Sequence, residues 1–125
     1  NNHAFVTGKV ALEKFWKDDA FMKDVRKKAD ILEAGLKKIV DVIPGSRLKG
    51  RGMMQGVDVT SGDIASEICS RAFEKGLIIE TSGADDEVVK VLAALTIPEE
   101  TLSKGLEILL EAAKETIDNS KVAAE

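Results

Sequence analysis

The feature that most constrains the fold of this chain is a long amphipathic segment between Ala20 and Ile43. Apolar side chains recur there every three or four residues, at Met22, Val25, Ala29, Leu32, Leu36, Ile39 and Ile43. This spacing predicts one α-helix with a single apolar stripe. Pro44 and Gly45 follow the stripe and predict the end of the helix. The opposite face is basic and is interpreted as solvent-exposed surface, with Lys23, Arg26, Lys27, Lys37 and Lys38.

Shorter patterns on both sides of this helix predict further helices and strands. Thr60, with Asp63 three residues later, resembles a capping box that starts a helix ending at Gly76. The β-branched runs predict strands, and the last two form a hairpin. The predicted elements are helices at 4–16, 20–43 and 60–76, strands at 47–52, 53–59, 77–79 and 88–92, and a last helix from Pro98. This order predicts an α+β fold, a small mostly antiparallel sheet with helices on one face.

Composition and charge exclude several classes of partner. The 125 residues carry a net charge of -4, which gives no general attraction to nucleic acid or anionic lipid. No apolar run approaches the roughly 20 residues that a membrane-spanning helix needs. Cys69 is the only cysteine, so no internal disulfide can form. This is compatible with a reducing compartment, and we expect a cytoplasmic protein.

Two groups of residues resemble ligand-binding motifs. Gly50, Gly52 and Gly56 lie between strand-like residues rather than between a strand and a helix, so they are interpreted as bends in a sheet and not as a phosphate loop. Arg47, Lys49 and Arg51 alternate, which places them on one face of a strand. No aromatic residue lies among them, as a single-strand nucleic acid site would require, so we expect no nucleic-acid partner.

Metal-binding and catalytic clusters are not evident from the residues alone. His3 is the only histidine and has no neighbouring cysteine or histidine, and Cys69 lies on the apolar side of its helix. Asp85, Asp86 and Glu87 are adjacent in a predicted turn and are interpreted as solvated. Residue chemistry alone therefore indicates no metal and no complete catalytic constellation.

Three stretches of the sequence nevertheless resemble a known family. They are the stretch from Asn1 to Ala4 followed by a helix, the run from Arg51 to Val57, also read as a motif from Leu48 to Gly56, and the segment from Val88 to Ile97. Their order resembles the C-terminal part of the class III pyridoxal-phosphate transaminases of the ornithine and 4-aminobutyrate type. In the motif, Lys49 stands where the family has its leading arginine. The runs Asn1–Thr7 and Ala93–Pro98 resemble the ectoine-pathway branch of that family, which acts on diaminobutyrate.

The resemblance implies a fold-type I enzyme in which a lysine of the large domain binds pyridoxal phosphate as a Schiff base. That lysine is expected upstream of Asn1, so this segment alone is expected to be inactive. Residues 17–125 would form the C-terminal small domain, and residues 1–16 a helix from the edge of the large domain. That helix would expose Phe5, Leu12 and Trp16, because its packing partners lie elsewhere. Asn1 would lie beside the site of the cofactor phosphate, and the complete enzyme would be at least a homodimer.

One substrate contact of the family aligns within the chain. The arginine that binds the substrate carboxylate, before a Pro-Pro-Leu run, aligns with Lys90 before Ala93-Ala94-Leu95. A lysine attracts a carboxylate but lacks the planar two-bond fork of arginine, so Lys90 is either a substrate ligand or an ordinary strand lysine. The implied reaction moves an amino group from L-glutamate to L-aspartate 4-semialdehyde, giving L-2,4-diaminobutyrate and 2-oxoglutarate. The alternatives are another ω-amino transaminase, acting on ornithine or 4-aminobutyrate, and an α+β interaction module without catalytic activity.

Overall fold

The fold consists of four helices and four short strands. The computed structural model describes residues 1–122, with side chains described through residue 120. The elements are α1 (Asn2–Phe15), α2 (Ala20–Val40), β1 (Arg47–Arg51), β2 (Met54–Asp58), α3 (Gly62–Glu74), β3 (Glu80–Ser82), β4 (Val88–Leu92) and α4 (Glu99–Val122). The predicted order of helices and strands is confirmed.

The four strands form one sheet in the order β1-β2-β4-β3. Each neighbouring pair is antiparallel. A two-residue turn joins β1 to β2, and Gly52 adopts a φ of 61° there, a conformation that glycine reaches without steric cost. The α+β fold with a small antiparallel sheet is therefore confirmed.

The helices cover one face of this sheet. Helices α2 and α3 pack against the strands, and α4 packs against α2 and α3. The predicted stripe of α2 enters the core, where Leu32 and Leu36 are completely buried. Leu48, Val57 and Val89 of the sheet join the same apolar cluster, because alternate residues of a strand point to one face. The opposite face, here called the open face, carries Arg47, Lys49, Arg51, Met54, Gly56, Asp58, Glu80, Ser82, Val88, Lys90 and Leu92.

The prediction that Thr60 starts the third helix is wrong. Thr60 has a φ of 65°, outside the helical region, and its backbone N–H donates to Asp58 Oδ1 at 3.0 Å. The N-cap is Ser61, whose side-chain oxygen accepts a hydrogen bond from the backbone N–H of Ile64. The helix therefore begins at Gly62.

The predicted strand at 77–79 is also wrong, because β3 begins at Glu80. Gly76, with a φ of 88°, ends α3 in a Schellman motif. In that motif the N–H of Leu77 donates to the carbonyl of Ala72, and the N–H of Gly76 donates to that of Phe73. Leu77 is thus tied to the helix end, and pairing with β4 starts three residues later. The predicted hairpin itself is confirmed in the pairing of Glu80 with Lys90.

Helix α1 contacts the rest of the fold only near its C-terminal end. It has no buried residue. Phe15 and Trp16 each lie 5.1 Å, between ring centroids, from Phe21 at the start of α2. Phe5, Leu12 and Trp16 are exposed as predicted. Between residues 1 and 122, no helix has the length and apolar character that crossing a bilayer requires.

Candidate substrate-binding face

The open face is ordered as rows of cross-strand neighbours. One row runs Lys49, Gly56, Lys90 and Glu80, across all four strands. A second row contains Arg51, Met54 and Leu92. A third contains Arg47, Asp58, Val88 and Ser82. Charged side chains thus collect on the one face of the sheet that the helices leave uncovered.

Lys90 lies near the middle of the open face, on β4. Its Nζ is 3.3 Å from Glu80 Oε2, and the two side chains are 31% and 76% exposed. An ion pair this exposed contributes little to stability, and a competing carboxylate can replace it. Lys90 therefore presents its ammonium group on the open face, held there by an exposed ion pair.

The position next to Lys90 on β2 is Gly56, and only glycine fits there. A Cβ atom at Gly56 would lie 2.6 Å from the carbonyl oxygen of Val89 and 2.9 Å from Val88 Cγ1. Gly56 is buried, because the Val88 side chain of the neighbouring strand lies close to its α-carbon. The glycine therefore allows β2 and β4 to pack closely beside Lys90.

Asp58 neutralises part of the basic stripe on β1. Arg47 Nη2 and Lys49 Nζ lie 2.9 Å and 3.1 Å from Asp58 Oδ2. The hydrogen bond from the Thr60 amide, followed by those from Lys49 and Arg47, lowers the pKa of Asp58 to about 2. The stripe predicted from the sequence does lie on one face, but two of its three cations are paired within the chain.

The acidic turn between β3 and β4 also contains a carboxylate, that of Glu87, which pairs with groups of the same chain. The Glu87 carboxylate accepts hydrogen bonds from Lys49 Nζ at 3.4 Å and from the Asp85 amide at 3.1 Å. Hydrogen bonds from backbone amides lower the pKa of Glu87. Within the described residues, no three His, Cys, Asp or Glu side chains are grouped in a way that could hold a metal ion.

The other residues singled out in the sequence lie away from this face. Asn1 caps α1 through its Oδ1 atom, which accepts from the Ala4 amide at 3.3 Å. His3 is exposed on α1. Cys69 is partly buried on α3, and this burial raises the pKa of its thiol. No hydrogen bond or ion pair found in residues 1–120 joins Asn1 to Lys90.

Lys28 is a buried lysine that was not predicted from the sequence. Lys28 Nζ donates to Asp24 Oδ2 at 2.6 Å and to the carbonyl of Leu95 at 3.0 Å. These bonds tie α2 to the segment that follows β4. The available signal was position, because Lys28 lies three residues after Val25 and four before Leu32, within the apolar stripe.

The fold just described is shared with solved aminotransferases. An adenosylmethionine-8-amino-7-oxononanoate aminotransferase from Methanocaldococcus jannaschii matches with a TM-score of 0.69 and 23% identity over 83% of this chain and 25% of that one. A lysine aminotransferase from M. tuberculosis matches with a TM-score of 0.70 and 17% identity over 85% of this chain and 23% of that one. The architecture is thus that of part of a fold-type I aminotransferase.

Sequence comparison identifies the family. The profile of the aminotransferase class-III family matches residues 3–113. A diaminobutyrate–2-oxoglutarate transaminase of Halomonas elongata is 50% identical over 91% of this chain and 28% of its own length. Another from Vibrio cholerae is 46% identical over 87% of this chain and 27% of its own length. The chain belongs to the class III aminotransferases, and it spans less than a third of the length of these relatives.

Proposed function

We propose that this chain works as part of a transaminase that moves an amino group from L-glutamate to L-aspartate 4-semialdehyde, as in ectoine biosynthesis. The products would be L-2,4-diaminobutyrate and 2-oxoglutarate. Family membership supports amino transfer, and the printed names of the relatives at 46% and 50% identity support the diaminobutyrate and 2-oxoglutarate pair. Transaminases for ornithine or 4-aminobutyrate are the alternative within the same family.

In this proposal the chain supplies the C-terminal small domain, residues 17–125, and residues 1–16 belong to the edge of the large domain. The near absence of contacts between α1 and the body of the fold supports that boundary. We further propose that the complete enzyme is cytoplasmic and at least a homodimer.

Pyridoxal phosphate would supply an electron-withdrawing ring that stabilises negative charge on the substrate carbon. Among the described residues, we propose only Asn1 as a neighbour of this cofactor. Asn1 is the N-cap of α1, and the N-terminus of a helix suits a place beside the phosphate. Lys28, the one buried lysine in the described part of the chain, is engaged by Asp24 and Leu95 and is not available to the cofactor. Family membership supports the proposal that the lysine that anchors the cofactor lies in polypeptide upstream of Asn1.

Lys90 is proposed to bind the substrate carboxylate. The observation that carries this role is its position on the inner strand β4 of the open face, where the described side chains pair it only with the exposed Glu80. Its ammonium group would act as a point charge rather than as a fork. Lys28 would hold the segment after β4 in place through the Leu95 carbonyl.

The reaction can be tested in a hybrid enzyme, in which this chain replaces the segment of the Halomonas elongata transaminase that it matches. With L-glutamate as the donor, we expect faster amino transfer to L-aspartate 4-semialdehyde than to the aldehydes that yield ornithine or 4-aminobutyrate. A hybrid that prefers either of those aldehydes would contradict the proposed substrate. The isolated 125-residue chain should gain no visible absorbance with pyridoxal phosphate and should transfer no amino groups.

Substitution of Lys90 tests its role in the same hybrid. Lys90→Ala should raise the KM for L-glutamate by about tenfold or more, the loss expected for a charge-assisted contact. Lys90→Arg should retain binding because it keeps the charge. The control is Lys104→Ala, which removes an exposed lysine on α4 and should leave KM unchanged. Equal KM values for the Ala variants of Lys90 and Lys104 would make Lys90 an ordinary strand lysine.

A further inference from the structure

Lys28 is a buried charge at one end of the sheet. Its side chain is only 5% exposed, and its Nζ atom donates to Asp24 Oδ2 and to the carbonyl of Leu95. Apolar side chains of similar size often stabilise a fold as well as, or better than, a buried ion pair does. Stability alone therefore does not account for a lysine within the apolar stripe of α2.

The Leu95 carbonyl belongs to the β4–α4 connection, residues 93–98. Ala93 and Ile97 pack against the core cluster, whereas Leu95 between them is 39% exposed and is held by its backbone. Among the described side chains, Lys28 alone donates a hydrogen bond to the backbone of this connection. The middle of the connection is therefore fixed to α2 through Lys28.

A second buried polar residue, Gln55, acts at the same end of the sheet. Its Nε2 atom donates to the carbonyl of Gly52, in the β1–β2 turn, at 2.7 Å, and to that of Ala29 on α2 at 3.5 Å. The turn and the β4–α4 connection meet at this end, because Met54 and Leu92 are cross-strand partners. Buried hydrogen bonds thus tie both connections to adjacent residues of α2.

The β4–α4 connection begins close to Lys90. Lys90 and Leu92 alternate on the open face, and Leu95 follows three residues later. Leu92 and Leu95 are both exposed, so the chain that leaves β4 forms an apolar border beyond the Lys90 ammonium group.

We propose that Lys28 is a positioning residue for the substrate. Through the Leu95 carbonyl it holds the β4–α4 connection in one arrangement, in which Leu95 borders the carbon chain of a substrate whose carboxylate is bound by Lys90. Lys28 is buried and does not itself contact the substrate. This role rests on the proposed transaminase function and on Lys90 as the carboxylate ligand.

The hybrid enzyme allows a test that separates positioning from stability. Lys28→Met keeps the length of the side chain but removes its charge and its donors. It should raise the KM for L-glutamate and for L-2,4-diaminobutyrate about fivefold or more, because a displaced border binds both substrates less well. The urea midpoint of unfolding should change little, since an apolar side chain fits the stripe. Lys28→Arg, which keeps the charge and the donors, should recover at least part of the loss.

Hydrogen exchange reports the connection directly in the same variants. The amides of residues 94–96 should exchange about fivefold faster or more in Lys28→Met than in wild type, because the Leu95 carbonyl loses its buried donor. The amides of β1, which lie outside the connection, should exchange at the wild-type rate. Unchanged exchange at residues 94–96 would overturn the proposal.

The matched control is Lys27→Met. Lys27 is the adjacent lysine, and its Nζ lies 2.8 Å from Glu99 Oε1, so it joins α2 to α4 without contacting the Leu95 carbonyl. Lys27→Met should leave both KM values unchanged.

An active hybrid whose Lys28→Met variant keeps both KM values would overturn the proposal, whatever its stability. If Lys28→Met binds no cofactor, Lys28→Gln, which is shorter and uncharged, decides by the same criteria. Loss of cofactor binding in both variants would also overturn the proposal, because Lys28 would then be required for folding. An unsubstituted hybrid that binds the cofactor but transfers amino groups from no donor would instead refute the proposed function.

Discussion

Asp58 shows how one residue organises the open face. Its carboxylate binds the Thr60 amide, Arg47 and Lys49, and so connects the end of β2 to β1 and to the start of α3. The Thr60 backbone is held at a positive φ, which is unfavourable for a β-branched residue and persists only where neighbouring contacts fix it. Asp58 supplies such a contact.

The depressed pKa of Asp58 predicts acid sensitivity. Its pKa is about 2 in the folded chain, against an ordinary value of 3.8, so the folded state takes up this proton less readily than the unfolded state. The stabilisation is present above about pH 4 and is lost as the pH falls toward 2. Urea unfolding between these two pH values should show a shallower loss of stability in Asp58→Asn than in wild type.

Glu87, whose pKa is also lowered, contributes in the same direction and should keep part of the acid sensitivity in Asp58→Asn. Asp30→Asn is the control, since Asp30 is exposed on α2 and makes no ion pair with the described side chains. Its acid sensitivity should equal that of wild type. Parallel pH profiles for wild type and Asp58→Asn would contradict the assignment.

At the scale of elements, close contact between strands depends on Gly56. Adding one methyl group there forces it against the carbonyl of Val89, a backbone atom that cannot move without disturbing the pairing of β2 with β4. We predict that Gly56→Ala lowers the free energy of unfolding by about 1–3 kcal/mol, as overpacked sites do. Chemical unfolding at neutral pH measures the change.

The same substitution at Gly8 is the matched control. A Cβ atom at Gly8 meets nothing within 4 Å, and alanine favours a helix more than glycine does. Gly8→Ala should therefore not lower the free energy of unfolding. An equal loss in both variants would show that glycine replacement, rather than the contact at Val89, is responsible.

The sequence predicted elements whose signal is local and periodic. The stripe of α2 is read correctly because every third or fourth residue repeats the same burial requirement. The strand predicted at 77–79 fails because Leu-Ile-Ile favours a strand locally, whereas the cap of α3 holds Leu77 by a hydrogen bond to Ala72. That bond depends on the geometry of the helix end rather than on the apolar pattern.

The candidate site was predictable only in part. Alternation placed Arg47, Lys49 and Arg51 on one face, and resemblance singled out Lys90. Which charges remain unpaired follows from the register, which sets Glu80 opposite Lys90 and Asp58 opposite Arg47. Pairing between residues far apart in sequence leaves no periodic signal, so the position of Arg51 relative to Lys90 required the structure.

At the scale of the whole molecule, α1 is an apolar helix with little to pack against. Phe5, Val6, Val10, Leu12 and Trp16 are all exposed, and an apolar surface of this kind marks an interaction site. Its aromatic contacts with Phe21 attach it to α2 at one end only.

This surface predicts that the isolated chain binds an apolar dye and associates with itself as its concentration rises. Replacing Phe5 and Leu12 together by Ser should reduce both effects, whereas Phe73→Ser, which removes an exposed aromatic residue from α3, should change them less. Dye fluorescence and light scattering report the two effects. A monodisperse monomer without a dye response would contradict the prediction.

The central claim is that this chain completes a diaminobutyrate transaminase when it is joined to the rest of such an enzyme. The most direct test is the visible absorbance of the cofactor-loaded hybrid enzyme in a single turnover with L-2,4-diaminobutyrate, without an amino acceptor. We predict that the band of the lysine-bound cofactor disappears as the amino group is transferred, and returns when 2-oxoglutarate is added. A hybrid that binds the cofactor but keeps its band unchanged with this donor would contradict the claim.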